Sequence, residues 1–334
     1  FEGSGRTRDY RSDVGFTRQN NTNNSSFGFR LSTEPNPKAI LTSFRFQNFT
    51  QTSFDWQGRH QGWIDGTNYN FNLAHQTFVQ IGTNFGYERV FEEEFGTRRA
   101  LAQGSTPARR GAFAGDDSER QTRQKTIFVY AERQWNKQLY TYFFTGTRRG
   151  IFDFDFGAGP NYPRISPFAI ANREAEARGI CTRKDPLDTT PLPSVCFDAF
   201  DPGAANGFDI DTGVTYQPTS ALRTSLGYVK ARLTRRDTGL VAFDDNIYNL
   251  RATYQFTRFL FARARVDYDT LQANVRGQFL FGWTPNPGTA FYAGYNDDMN
   301  RNGYNPFTGQ LEPGFRRNGR LFFVKAAYLF RKSF

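Results

Sequence analysis

The stretch Tyr248-Asn249-Leu250-Arg251-Ala252-Thr253-Tyr254-Gln255-Phe256, followed after Thr257-Arg258 by Phe259-Leu260-Phe261-Ala262-Arg263-Ala264-Arg265-Val266-Asp267-Tyr268-Asp269, decides how the chain folds. Side chains of a β-strand point to opposite faces in turn. Tyr248, Leu250, Ala252, Tyr254 and Phe256 therefore share one face, and Asn249, Arg251, Thr253 and Gln255 the other. After a two-residue turn the rule repeats, with Leu260, Ala262, Ala264, Val266 and Tyr268 opposite Arg263, Arg265, Asp267 and Asp269. A helical period of 3.6 would scatter these sets.

Working outward, the same period recurs. Val275, Phe279, Phe281 and Trp283 oppose Arg276 and Gln278. Phe208, Ile210, Val214 and Tyr216 oppose Asp209, Asp211 and Thr215. Val79, Ile81, Phe85 and Tyr87 oppose Gln80, Asn84 and Glu88, and Thr67, Tyr69, Phe71 and Leu73 oppose Asn68, Asn70 and Asn72. Thirteen segments read as strands: 25–33, 38–50, 57–73, 77–92, 125–136, 139–150, 207–217, 221–235, 243–256, 259–271, 274–283, 289–298 and 318–331. In 221–235 the apolar phase changes, from Leu226 and Tyr228 to Val229, Ala231 and Leu233, which predicts a bulge or a strand leaving its apolar surroundings.

Alternation also suits a soluble sheet with one wet face; composition and connections separate the two. The chain has 334 residues, with 37 Phe, 16 Tyr and 4 Trp but one Met, and a mean hydropathy of −0.66. A soluble chain of this length would be expected to bury aliphatic cores, and here aliphatic residues are sparse. No run approaches the ~20 apolar residues of a membrane-spanning helix. The apolar face mixes rings with Ala, Gly and Thr, which suits lipid contact better than packing against a second sheet. Short connections such as Ala74-His75-Gln76 and Thr257-Arg258 alternate with long polar ones at 93–124, 151–206 and 299–316. Short turns at one end and long loops at the other, with aromatic girdles near the strand ends, belong to transmembrane β-barrels. Trp135, Tyr140, Tyr216, Tyr254 and Trp283 are the expected girdle.

The expected fold is thus all-β: a single transmembrane antiparallel up-and-down barrel over 1–334, in an outer membrane of the Gram-negative type. An even strand number asks for a fourteenth strand within residues 1–12 or upstream of Phe1. Residues 1–24 form a lead-in segment and outer loop containing the run Asn20–Asn24, and 318–334 form the closing strand. The chain starts at Phe1 without an initiator Met, as a mature or cleaved product or a fragment would.

The polar face carries the chemistry. Arg251, Arg263, Arg265 and Arg276 lie on three successive strands beside Asp267 and Asp269, and Asn68, Asn70, Asn72, Asn84, Glu88, Asp209, Asp211 and Lys325 are further lumen-facing positions. Such a wall either sets a transverse field across a watery lumen or forms an ion-paired ladder that fills it. The net charge of +10, from 35 Arg and 7 Lys against 32 acidic residues, is open to two readings: attraction of anions such as lipopolysaccharide phosphates, or pairing with neighbouring carboxylates. Cys181 and Cys196 read most simply as one local disulfide, since metal binding would need further ligands. His60 and His75 have no nucleophile or acid context, so no catalytic residues, metal or cofactor are expected. Asp153-x-Asp155-x-Gly157 and Asp209-x-Asp211-x-Gly213 hold only fragments of a calcium loop. Nucleic acid is not an expected partner, because the aromatics are committed to lipid.

The order Pro287-Gly288-Thr289-Ala290-Phe291-Tyr292, Tyr295-Asn296, Phe322-Phe323-Val324-Lys325 and Tyr328-Leu329-Phe330-Arg331, with Asp13-Val14-Gly15-Phe16-Thr17-Arg18, resembles the barrel part of an outer-membrane family of unknown function. Its typical members carry an N-terminal domain similar to family-nine carbohydrate-binding modules. The ending Tyr328-x-Phe330 with terminal Phe334 is similar to the aromatic signal read by the barrel-assembly machinery. The functional expectation is a passive porin-like channel for small polar or anionic solutes, in contact with outer-membrane lipid and lipopolysaccharide. The alternative is a plugged barrel that anchors or docks a surface or periplasmic protein partner.

Overall fold

In the computed structural model, residues 1–8, 10, 20–95, 112–159, 161–181, 199–286, 288–301 and 314–329 are described. They form fourteen strands: β1 (Glu2–Arg6), β2 (Thr22–Ser32), β3 (Leu41–Phe54), β4 (His60–Leu73), β5 (Thr77–Phe91), β6 (Glu119–Gln134), β7 (Leu139–Asp153), β8 (Gly203–Tyr216), β9 (Leu222–Arg235), β10 (Val241–Thr257), β11 (Leu260–Asp269), β12 (Asn274–Asn286), β13 (Thr289–Arg301) and β14 (Phe315–Tyr328). One helix, α1 (Pro167–Ala177), interrupts the connection between β7 and β8. Each strand pairs with its sequence neighbour in a single sheet ordered β1 to β14. Every ladder is antiparallel. This is the up-and-down transmembrane β-barrel fold. Among the described residues no ladder joins β1 to β14, and β14 is exposed on both faces, Phe322 at 71% on one and Phe323 at 37% on the other.

The fourteenth strand lies in the lead-in segment, at Glu2–Arg6, where it pairs with Thr22–Ser26. Most of the asparagine run expected in an outer loop is therefore strand: β2 begins at Thr22, directly after Asn21 turns the chain at φ 56°. Asn and Thr can pair as well as any residue when their side chains meet water or each other, and Ser53 donates to Asn24 at 2.6 Å.

Parity along the ladders assigns the faces. Phe85, Ile127, Val214, Leu226, Leu250 and Phe281 all lie on the exposed outer face. Trp135, Tyr216, Tyr254 and Trp283 stand on that face beside the short turns, as girdle residues would. Tyr140 does not. Its phase puts it inside, where its hydroxyl donates to Glu132 at 2.6 Å. Nearness to a turn marks height in a barrel, and only parity marks the face.

The phase change in 221–235 has another cause than a bulge. β9 pairs without a shift from Thr224 to Arg235 on its β8 side, and the irregularity lies in β10 between Val241 and Phe243. Val229, Ala231 and Leu233 share the inner face, and at the outer rim Leu233 is covered by Ile165 of the β7–β8 connection instead of water. The long connections are also shorter than expected: β6 begins at Glu119, β7 runs to Asp153, and β8 begins at Gly203. At Ala74–Gln76 the hairpin closes with His75 and Gln76 at φ 59° and 52°, the left-handed pair that a two-residue turn matched to strand twist requires.

Candidate functional site: the inner wall and its outer mouth

On β10 to β13 the inner face carries the charged set. Arg251 and Arg265 are cross-strand partners, as are Asp267 and Arg276, Asp269 and Asn274, and Arg276 and Asp298. Arg265 donates to Asp267 at 2.6 Å, and Arg276 lies 4.0 Å from Asp298. Arg263 stands one step nearer the short turns, with its guanidinium 4.7 Å from the Phe261 ring. Arg251 and Arg263 form no ion pair among the described residues, so the wall is neutralised only in part. Lys325 sits on the same face of β14, opposite Tyr292.

Around β4 to β8 the inner face is polar and aromatic together. Gln80 donates to Asn68 at 3.0 Å, Asn72 to Ser43 at 2.8 Å, and Asn70 to the Arg45 carbonyl at 3.3 Å. Asn84 lies over Gly66, and Glu88 accepts from the Gln124 amide. Arg148, which sequence reasoning passed over, holds Asp209 through two bonds of 2.7 and 2.8 Å. Tyr142 donates to Asp211 at 3.0 Å. Glu132 accepts from both Tyr130 and Tyr140. Bidentate guanidinium–carboxylate pairing and phenol donors are the standard partners of carboxylates withdrawn from bulk water. Period-two reading could have found Arg148, had Gly150 not shifted the phase just beyond it. That glycine adopts φ 73°, and the register breaks between Arg149 and Ile151.

Rings on the inner face do not all project into the lumen. Phe128, Tyr142, Phe261 and Phe323 lie over Gly82, Gly213, Gly282 and Gly294 of the adjoining strands, where any Cβ would fall on the ring. The glycines thus let the rings fold flat along the wall, a pairing that also pins the register.

At the outer mouth the β7–β8 connection turns inward. Ile165 packs on Ala205, Leu233 and Ala242, all inner-face or rim positions, with Ile151 and Phe243 alongside. A second cluster joins Val90, Phe113 and Phe152 to Phe95, Phe154 and Phe200. Two buried carboxylates anchor this cap. Asp155 accepts from Arg164, the Ser166 hydroxyl and the Asp201 amide, at 2.8, 2.8 and 3.2 Å. Ser166 also caps α1 by accepting from the Ala169 amide, as N-cap serines do. Asp153 pairs with Arg235, which bonds Asp237 and the Asp201 carbonyl as well and is 1% exposed. The four carboxylates of the two calcium-loop fragments are thus each engaged by an arginine, a serine or a tyrosine. Cys181 follows α1, while Cys196 lies outside the described residues, as do Phe330, Phe334 and the segment 13–18; Tyr328 closes β14.

Burial raises the Asp237 carboxyl, but the bond and charge of Arg235 outweigh it and hold the group below the usual carboxylate range. A depressed folded-state pKa adds stability above the ordinary value of about 3.9 that is lost as pH falls through the folded value. Pepsin should accordingly leave residues 161–177 intact near pH 4.5 and nick them increasingly as the pH falls below about 3.9 and Asp237 takes up its proton. Equal resistance across that range would refute this role for the pair.

No protein-family model and no curated protein matches the chain. Solved structures do. The copper transporter OprC is similar with a TM-score of 0.50 and 12% identity, over 92% of this chain and 48% of that one. A mutant ferric enterobactin receptor, PfeA, of Pseudomonas aeruginosa is similar at a TM-score of 0.39 and 8% identity, over 91% and 53%. OmpT, an outer membrane protein of Vibrio cholerae, gives 0.32 and 10%, over 94% and 99%. The chain thus spans about half the length of the first of these, and at such identities the likeness is one of fold: an outer-membrane β-barrel.

Proposed function

We propose that this barrel is a passive channel for small polar or anionic solutes, narrowed at its outer mouth by the cap between β7 and β8. The observation that carries the reading is the incomplete pairing of the inner wall. Arg251 and Arg263 hold guanidiniums on neighbouring strands without a carboxylate, next to the paired Arg265–Asp267. A cation left uncompensated beside a watery path favours passage of anions. Aromatic rings laid along the wall leave room for that path, and no catalytic step is part of the reading.

Planar-bilayer recording tests it. The folded chain should conduct with a reversal potential on the anion-selective side, and Arg251→Glu with Arg263→Glu should move that potential toward cation selectivity. A folded, inserted sample without conductance would sink the channel. The second reading, a plugged barrel serving as a docking platform, is favoured by the apolar seating of Ile165 at the mouth. A closed lumen together with stoichiometric capture of a surface or periplasmic protein would support it.

A further inference from the structure

A row of cations stands on the outer face. Arg123 and Lys125 on β6 and Arg149 on β7 are exposed and share the lipid-side phase of Phe85 and Ile127. Lys125 and Arg149 are direct cross-strand partners, and Arg123 pairs with Tyr87. Like charges side by side disfavour the pair, so something outside the sheet must compensate. Several other cations on this face have carboxylates: Lys230 and Arg232 have Asp244, Arg317 and Arg320 have Asp297, and Arg89 has Glu119, while Arg133 at the short-turn girdle lies over the Trp135 ring. Arg123, Lys125 and Arg149 have none among the described residues. Asp65, opposite Phe85 on β4, is held by Asn48 and Thr50 at 3.1 and 2.6 Å.

Height identifies the environment. β6 leaves the short-turn girdle at Arg133, whose guanidinium lies 4.1 Å from the Trp135 ring. Lys125 and Arg123 follow eight and ten residues along the same strand. At ~3.3 Å per residue and ~40° of tilt, that is roughly 20 to 25 Å along the membrane normal. An apolar band of ~25 Å ends there, so the three cations meet the headgroups of the outer leaflet. Beside Lys125 lies Phe85, and below them lie Ile127 and Thr147, suited to acyl chains. Above and beside them a groove of about 700 Å³ is lined by Trp63, Tyr87, Gln121 and Arg123, a mixture of rings and polar groups suited to sugar.

We infer that Arg123, Lys125 and Arg149 form a binding face for the phosphorylated sugar headgroup of an outer-leaflet glycolipid of the lipopolysaccharide type. Guanidinium groups bond phosphate oxygens directly, and each basic residue at an anionic lipid surface adds about 1 kcal/mol, so three give roughly 100-fold in affinity. The inference stands whether or not the lumen conducts.

The test titrates fluorescent lipopolysaccharide into the folded full chain in neutral detergent, with phosphatase-treated lipopolysaccharide and millimolar inorganic phosphate as further arms. Arg123→Gln/Lys125→Gln/Arg149→Gln should weaken binding roughly 100-fold, and dephosphorylation of the lipid should weaken it as much. Lys230→Gln/Arg232→Gln should leave it unchanged, and inorganic phosphate should not compete. Should the triple variant fail to fold, Lys125→Gln alone should still cost roughly fivefold, while Arg123→Lys/Arg149→Lys should retain most of the affinity. Undiminished binding by the charge-removing variants, equal loss in the Lys230/Arg232 control, or displacement by inorganic phosphate would overturn the assignment.

Discussion

Replacing Arg235 by methionine should release the cap while leaving the barrel folded. The guanidinium is the common partner of Asp153, Asp237 and the Asp201 carbonyl, and its side chain is fully buried. Removing one member of a buried pair strands the other, at a cost of about 3–5 kcal/mol. Because Asp237 is 38% exposed and can recover water, the lower end of that range is expected. Ladder bonds of β8 to β10 do not involve the side chain, so the strands should keep their register. Protease cleavage within 161–181 should rise steeply, and in the channel reading the unitary conductance should rise with it. Adding Asp153→Asn should recover part of the protection, since the stranded charge is then gone. If Arg235→Met resists protease as the parent does, the buried pair does not hold the cap.

Gly82→Val should destabilise the barrel itself. A Cβ at residue 82 falls on the Phe128 ring, which lies against the β5 backbone. Forcing an aromatic out of a fitted position costs about 1–3 kcal/mol, and the strand preference of valine returns less than about 1 kcal/mol. A net loss of about 2 kcal/mol is expected in urea unfolding followed by tryptophan fluorescence in lipid vesicles. The decisive comparison is Gly82→Val/Phe128→Ala, which should be more stable than Gly82→Val alone, because the ring that blocks the methyl groups is absent. A Gly82→Val barrel as stable as the parent would show that the ring moves freely.

Period-two patterning made much of this structure legible without coordinates. Facing of Arg251, Arg263, Arg265, Asp267, Asp269 and Arg276 follows from parity, as does that of Asn68, Asn70, Asn72, Asp209 and Asp211, and the ladders agree. Where the reading departed from the structure, the reason is local. Tyr140 was assigned by its nearness to a turn. Leu233 is apolar on the inner face because Ile165 of the β7–β8 connection covers it. Arg148 sits beside a glycine bulge that moves the phase by one.

By itself the sequence determined the class: strands of alternating polarity, an aromatic outer face, and short turns against long connections. It could do so because a strand's two faces meet two solvents, and one residue's shift would invert them. Only the tertiary structure decided which inner residues meet. The glycine–ring pairs, the Arg148–Asp209 bond and the Arg235–Asp153 bond join residues that are 21 to 82 apart. Such contacts depend on register and on how a long connection folds back, and neither leaves a periodic trace in the chain. The row Arg123, Lys125 and Arg149 belongs to both: parity puts each residue outside, and the β6–β7 ladder sets them side by side.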